Sequence, residues 1–256
     1  MNQILPTDSI KTAGHSILAR ILNPASQRDS LVITIAEEIG SAIIEGHLNP
    51  GDDLNSVDLS DRFKTSRTPV REAMMLLEKE GLVEILPRRR PRVARLSIKE
   101  VREIYEVRAN LYGLVAELIV TNATDEAIQS LQQYLDQMAV AAKNEDLDAY
   151  FWPNVAFQDT ETTICGNKQV KRILDSLMLR MLQLRYLSLS TPGRLQQSLS
   201  DHERLLRAYK ERDSALSVAI KRGIVMRGLA NIEKSGWVEL NGSVDQIHDT
   251  DTSKTE

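Results

Sequence analysis

Apolar residues along this chain mostly recur every three or four positions. Leu31, Ile35, Ile39 and Ile43, with Val32, Ala36 and Ile44 beside them, predict an amphipathic helix. It should stop at Gly46, ahead of the turn Asn49-Pro50-Gly51. Ser56 is the expected cap of a second short helix carrying Val57, Leu59 and Phe63. A third stripe runs through Val70, Ala73, Met74 and Leu77. Its expected cap is Ser66, and Pro69 is tolerated in a first turn whose N–H groups lack helical partners. After Gly81 the pattern changes. Leu82-Val83-Glu84-Ile85 and Val93-Ala94 predict two strands around the loop Pro87-Arg88-Arg89-Arg90-Pro91-Arg92.

From Leu96 to Trp237 the chain reads as helix almost throughout. Ser97 and Glu100 have the spacing of a capping box. Breaks are expected near 121–124, 143–148, 165–167, 191–193 and 211–213, which leaves about six helices. Before residue 29 the chain reads as an N-terminal arm. Ile10, Ile17, Leu18, Ile21 and Leu22 fit a short amphipathic helix, and a mobile arm fits equally. Residues 238–256, rich in Asp, Thr and Ser, read as a disordered tail. The fold class is therefore mainly α: a winged helix-turn-helix over 29–95, then an all-helical bundle over 96–237.

Charge sharpens this division. The chain carries a net −4, yet residues 60–95 hold ten Lys/Arg against five Asp/Glu. That local +5 leaves −9 for the remainder, the pattern of a basic nucleic-acid footprint on an acidic body. Cys165 is the only cysteine, which excludes an intrachain disulfide and a cysteine metal cluster. No basic segment followed by an apolar run opens the chain, and no uncharged apolar stretch reaches the ~18–20 residues of a membrane helix. A cytoplasmic protein is expected. There is no Gly-rich phosphate loop, no H-E-x-x-H and no G-x-S-x-G, so nothing marks an enzyme.

Ser66, Arg67, Thr68 and Arg71 sit at the N-terminal tip of the third helix, largely off its apolar stripe. Arg/Thr-rich tips of this kind suit the major groove of double-stranded DNA. Arg88, Arg89, Arg90 and Arg92 give the following loop an arginine tip. From Ile43 to Val93 the chain resembles the winged-helix domain of GntR-type bacterial transcription regulators. The resemblance rests on E-G-H-L-N-P-G (45–51), S-R-T-P-V-R-E-A (66–73), L-E-K-E-G-L-V (77–83) and P-R-R-R-P-R-V (87–93). Lys64-Thr65 replace the small and apolar pair usual before the serine, and Arg90 stands where the wing usually has glycine. The resemblance implies a homodimer that reads an inverted repeat.

Three places in the second domain put polar groups at core-facing positions. Arg108 interrupts the stripe Val101, Ile104/Tyr105, Leu111/Tyr112, Val115. His202 interrupts Leu195, Leu199, Leu206 and Tyr209. Asn154 and Gln158 lie one turn apart beside Phe151 and Val155. A buried arginine costs several kcal/mol unless an anion or acceptors compensate it. One account is a structural salt bridge and a hydrogen-bonded core histidine, as in an architectural DNA-binding protein that answers to no ligand. The other is a cavity for a small carboxylate or polar metabolite. Residues 96–234 resemble, more weakly, the FCD effector domain of the FadR subgroup, in its shorter VanR-like form. The matching pieces are I-Y-E-V-R-A-N-L-Y-G-L-V-A (104–116), Phe157 with Gly166-Asn167, and His202-Glu203-x-x-Leu206. That resemblance implies a repressor released by a small organic effector. Many such domains hold a divalent metal with an Asp, a His one turn later and two further His. Here Asn154, Gln158, His202 and Ile224 fall at those places, so one good ligand remains of four, and no metal cofactor is expected. A metal-dependent member of the same family is the alternative.

Overall fold

A computed structural model describes residues 11–23 and 30–235 of the chain. The first ten residues of the arm and the tail expected at 238–256 lie outside the described residues. Within the arm, the helical reading is the one observed. Helix α1 (Lys11–Leu22) buries Ile17, Leu18 and Leu22. It packs on α2 (Ser30–Ile44) and on α8 (Leu147–Ile164). Arg20 fixes the second contact, donating to Asp159 at 2.6 Å and Asp175 at 3.3 Å.

Helix α2 buries Val32, Ile35, Ala36, Ile39, Ile43 and Ile44, the face its spacing calls for. Helix α3 (Ser56–Arg62) follows, but its cap is Asn55 and not Ser56. Asn55 has the extended backbone of a cap, and its Oδ1 accepts the Val57 N–H at 3.0 Å. Helix α4 (Arg67–Lys79) begins after Ser66, which also has cap geometry, yet its hydroxyl accepts no capping bond. The cause is Pro69 at the third helical position, which lacks the N–H that such a cap most often binds. Between α3 and α4 the chain turns through Lys64, whose φ of 49° is left-handed. Lys64 N–H reaches Asp61 O and Thr65 N–H reaches Ser60 O, closing α3 with a Schellman-type pair of bonds.

The wing strands are shorter than the sequence suggests. Strand β1 (Val83–Glu84) pairs antiparallel with β2 (Arg92–Val93), Val83 opposite Val93 and Glu84 opposite Arg92. Leu82 donates instead to Leu77 O at the end of α4, and Ile85 donates to Glu78 Oε1. The segment 52–54 lies along the other side of β2, with Val93 N–H on Asp52 O at 2.9 Å and Leu54 N–H on Pro91 O at 2.7 Å.

The helical domain starts at α5 (Ile98–Asn122), closed by the expected capping box of Ser97 and Glu100. It continues through α6 (Asp125–Gln129), α7 (Gln132–Lys143), α8, α9 (Lys168–Leu189), α10 (Arg194–Lys210) and α11 (Ser214–Lys234). That is seven helices among the described residues and not about six. The extra break, at Ser130-Leu131, carries no Gly or Pro. It is a tightened turn in which Leu131 N–H reaches Ile128 O at 3.2 Å while the backbone stays helical. Helix α5 lies along α11, α7 along α8, and α9 touches α5, α8, α10 and α11.

The two domains meet where α2 packs on α9. Gln183 on α9 donates to Leu48 O at 3.4 Å. Gly81, just beyond α4, has φ +75°, and a Cβ there would fall 2.8 Å from Arg180 Cδ. Gly81→Ala therefore meets both a left-handed backbone and a side chain. We expect a loss of about 1–3 kcal/mol in chemical denaturation. Adding Arg180→Ala should restore the steric part and leave a residue of about 1 kcal/mol from the backbone. Full recovery in the double variant would show that the left-handed conformation costs nothing here.

Candidate functional site

The tip of α4 presents Ser66, Arg67, Thr68 and Arg71 to solvent, while Val70, Ala73, Met74 and Leu77 face the core. Arg67 makes one long contact with Ser56 Oγ, 3.4 Å, so its guanidinium is available. In the wing Arg88, Arg89 and Arg90 are exposed. The left-handed residue of that loop is Arg88, φ 61°, and not Arg90. Arg92 is placed differently from the other three. It lies in β2, and its Nε donates to Glu84 Oε2 at 2.7 Å across the hairpin. That bond, with the attraction of Glu84 and Asp53, raises its pKa above the usual guanidinium range.

The other candidate residues converge. Arg108 from α5, Asn154 and Gln158 from α8, and His202 from α10 line one small cavity, with Ile224 of α11 on its wall. They come from three helices, and they meet because each interrupts an apolar stripe that faces the bundle core. Arg108 is buried against the rings of Tyr105 and Tyr112, 5.3 and 5.6 Å from their centroids. No ion pair holds Arg108 among the described residues. His202 is buried, edge-on to Phe157, with Nδ1 2.7 Å from Ser198 O. That distance assigns the proton to Nδ1 and leaves Nε2 to accept from Asn154 Nδ2 at 3.4 Å.

Sequence reasoning missed two further arginines of this cavity. Arg185 on α9 donates from Nε and Nη2 to Asn154 Oδ1 at 2.9 and 2.6 Å, from Nη2 to Asn154 O at 2.8 Å, and from Nη1 to Gln158 Oε1 at 2.7 Å. Arg194, the first residue of α10, is 5% exposed and lines the same space. The signal for Arg185 was present. It falls on the α9 stripe of Leu174, Met178, Met181/Leu182 and Ser188/Leu189, as Arg108 does on α5. Arg194 follows Pro192-Gly193 at a helix start, where no period exists to be broken.

Among the described residues no carboxylate lines the cavity. Burial pulls the Arg185 pKa down to about 10, with Arg108 adding to the fall, so Arg185 stays charged at neutral pH. Burial also lowers that of Arg194. His202 is held well below the usual imidazole range by burial first, then by Lys221, against the opposing bond to Ser198. Beneath the cavity Glu161 is fully buried and spent on Lys221 and on the Tyr209 hydroxyl, 2.7 Å away. Asp201 is spent on Arg227, at 2.9 and 2.8 Å. As metal donors the lining offers one imidazole. The oxygens of Asn154 and Gln158 already face a guanidinium, and among the described residues no three His, Cys, Asp or Glu cluster.

Residues 103–225 match the FCD domain family, and residues 31–93 match the gntR family of bacterial regulatory proteins. The chain is 30% identical over 179 residues to the gluconate operon transcriptional repressor of Bacillus licheniformis, covering 70% of this chain and 72% of that protein. It is 28% identical to the transcriptional repressor RspR of Escherichia coli K12, over 67% and 75% of the two chains. The solved structure of E. coli McbR/YncC superposes with a TM-score of 0.70 at 22% identity, covering 81% of this chain and 99% of that one, which establishes a shared fold. Among the described residues no helix is long and apolar enough to cross a membrane.

The buried neutral imidazole has a measurable consequence. Unfolded, His202 takes up a proton below about pH 6.5, and folded it does not until well below that. Stability is therefore whole above pH 6.5 and falls as pH drops, by up to ~1.4 kcal/mol per pH unit for one proton. His202→Gln should flatten that slope between pH 7 and pH 5 in denaturant titrations. An identical slope in the variant would place the proton uptake elsewhere.

Proposed function

The chain belongs to the GntR family of bacterial transcription regulators that carry an FCD domain, and on that premise we propose that it is a cytoplasmic repressor released from DNA by a small carboxylate effector. Its relatives are transcription regulators and not enzymes. One observation carries the effector half: Arg108, Asn154, Gln158 and His202, drawn from three helices, line a single cavity. In this reading Arg108 pairs with the effector's negative group, and Asn154, Gln158 and His202 orient it by hydrogen bonds. The site needs no metal, because carboxamides bonded to Arg185 stand where a divalent ion would need charged or imidazole donors.

On the DNA side Arg67, Thr68 and Arg71 meet base edges in the major groove, next to Ser66 at the helix start. Arg88, Arg89 and Arg90 supply phosphate contacts, and Arg92 holds the wing hairpin to Glu84. One α4 covers only a few base pairs, so the active form is a two-fold dimer on an inverted repeat.

Two helices join the cavity to the DNA-binding domain. On α8, Gln158 lines the cavity while its neighbour Asp159 binds Arg20 of α1. On α9, Arg185 lines the cavity while Gln183 and Arg180 touch Leu48 and Gly81. An effector that draws on Arg185 biases the seat of the winged helix, by as much as its affinities for the two arrangements differ.

Arg67→Ala should weaken operator binding by ~1–3 kcal/mol and random duplex by much less. Equal loss on both would make Arg67 a phosphate contact, and normal binding would remove α4 from the groove. The effector half is tested by thermal shift over a panel of small organic acids, with gluconate included for comparison because one relative is a gluconate operon repressor. Arg108→Ala should keep operator affinity near normal and lose release by whatever ligand stabilises the parent protein. A variant that still responds would assign Arg108 a structural role. Elemental analysis should find well under one zinc, nickel or manganese per chain, and stoichiometric metal retained against a chelator would overturn the metal-free site.

A further inference from the structure

The cavity holds more positive charge than one carboxylate can answer. Among the described residues three guanidinium groups line it, from Arg108, Arg185 and Arg194, and no carboxylate does. Their surroundings differ. Arg185 is supplied with acceptors, because all of its donating nitrogens face oxygens of Asn154 and Gln158. Arg108 rests on the faces of Tyr105 and Tyr112. Arg194 has neither arrangement. Its Nε and Nη1 are buried and lack any hydrogen-bond partner among the described residues. The nearest acid to influence it is Asp201, both of whose oxygens are taken by Arg227.

Its position adds to the cost. Arg194 is the first residue of a 17-residue helix and follows Gly193, which turns the chain with φ +74°. Helix N-termini favour anions and disfavour cations. A side chain that is 95% removed from water, with two unpartnered nitrogens and at the wrong end of a helix dipole, costs stability in the empty protein. Such arrangements persist where a ligand completes them.

Resting on the pocket reading above, we propose that the effector is a small dianion, one of whose acidic groups is taken by Arg108 and the other by Arg194. The two groups span the space between α5 and the start of α10. The middle of the molecule lies over Arg185 and Asn154, whose remaining N–H groups can donate to a hydroxyl or carbonyl oxygen. Dicarboxylates and phosphate monoesters share this chemistry.

Thermal shift and calorimetry on the full-length protein at constant ionic strength separate the cases. The probes are malonate, succinate and glutarate as dicarboxylates, glycerol 3-phosphate as a phosphate monoester, and acetate, butyrate and gluconate as monoanions. At least one dianion should raise the melting temperature at concentrations where every monoanion is inert. Arg194→Met should weaken that dianion about 10–100-fold, the effect of losing one charge-assisted contact, and Arg194→Lys should recover part of it. The ligand-free Arg194→Met protein should melt at or above the parent, because an uncompensated buried charge has been removed. A variant that melts well below the parent would give Arg194 a structural partner and overturn the proposal. If monoanions stabilise as well as dianions, and Arg108→Ala abolishes this while Arg194→Met does not, the pocket reading stands and the dianion falls. If no anion of either class stabilises the parent, the pocket reading falls and the dianion with it.

Discussion

Uncompensated guanidinium charge inside a helical bundle is the constraint around which this molecule is built. Arg185 could have been neutralised where it lies. An aspartate at 154 would have closed a salt bridge with the same geometry. The chain instead places carboxamides at 154 and 158, which satisfy the donors of Arg185 without cancelling its charge. The two acids nearest the cavity, Glu161 and Asp201, are committed to Lys221 and Arg227. A positive field is thus preserved in the low-dielectric interior of the bundle. Burial first, then Lys221 and this field, keep His202 neutral, which leaves its Nε2 an acceptor.

The bundle around the cavity also serves as the mount for the DNA-binding domain. Helix α1 binds α2 and α8 at once, and its Arg20 is fixed to Asp159 and Asp175 on two helices of the bundle. The left-handed Gly81 lets Arg180 close over the end of α4's connecting turn. A displacement of α8 or α9 therefore has a short mechanical path to the winged helix, through packed side chains and not through a loop. Spatial adjacency of this kind is a route, and the coupling free energy it carries is a separate quantity.

Much of this was legible in the sequence where a periodic pattern could be seen to break. Arg108, His202, Asn154 and Gln158 each stand where the helical period calls for an apolar group, and the structure brings all four to one cavity. The same test applied to α9 would have found Arg185. Arg194 was out of reach, because a residue at a helix start belongs to no stripe. The capping box at Ser97 is as expected, while the caps of α3 and α4 depart from expectation for local reasons. Asn55, one residue before Ser56, is an equally good capping residue and holds the extended backbone. Ser66 was matched to a helix whose third position, Pro69, has no N–H to give. The break at Ser130-Leu131 left no composition signal, since the backbone never leaves the helical region there.

The electrostatic division of the chain follows from these placements. Residues 60–95 carry a surplus of +5 in a chain of net charge −4, and within that surplus the arginines are not equivalent. Arg92 is tied to Glu84 and stiffens a hairpin of only two paired residues per strand. A ladder that short is marginal on its own. The segment 52–54 on its other side and the Arg92–Glu84 bond supply what the strands lack. The wing can then carry Arg88, Arg89 and Arg90 at its exposed end, like charges in sequence whose repulsion favours an extended loop and whose counter-charge must come from outside the protein. Inside the bundle the same principle recurs with the opposite access. In the proposed reading, arginines that the protein leaves unanswered are where another molecule would provide the negative charge.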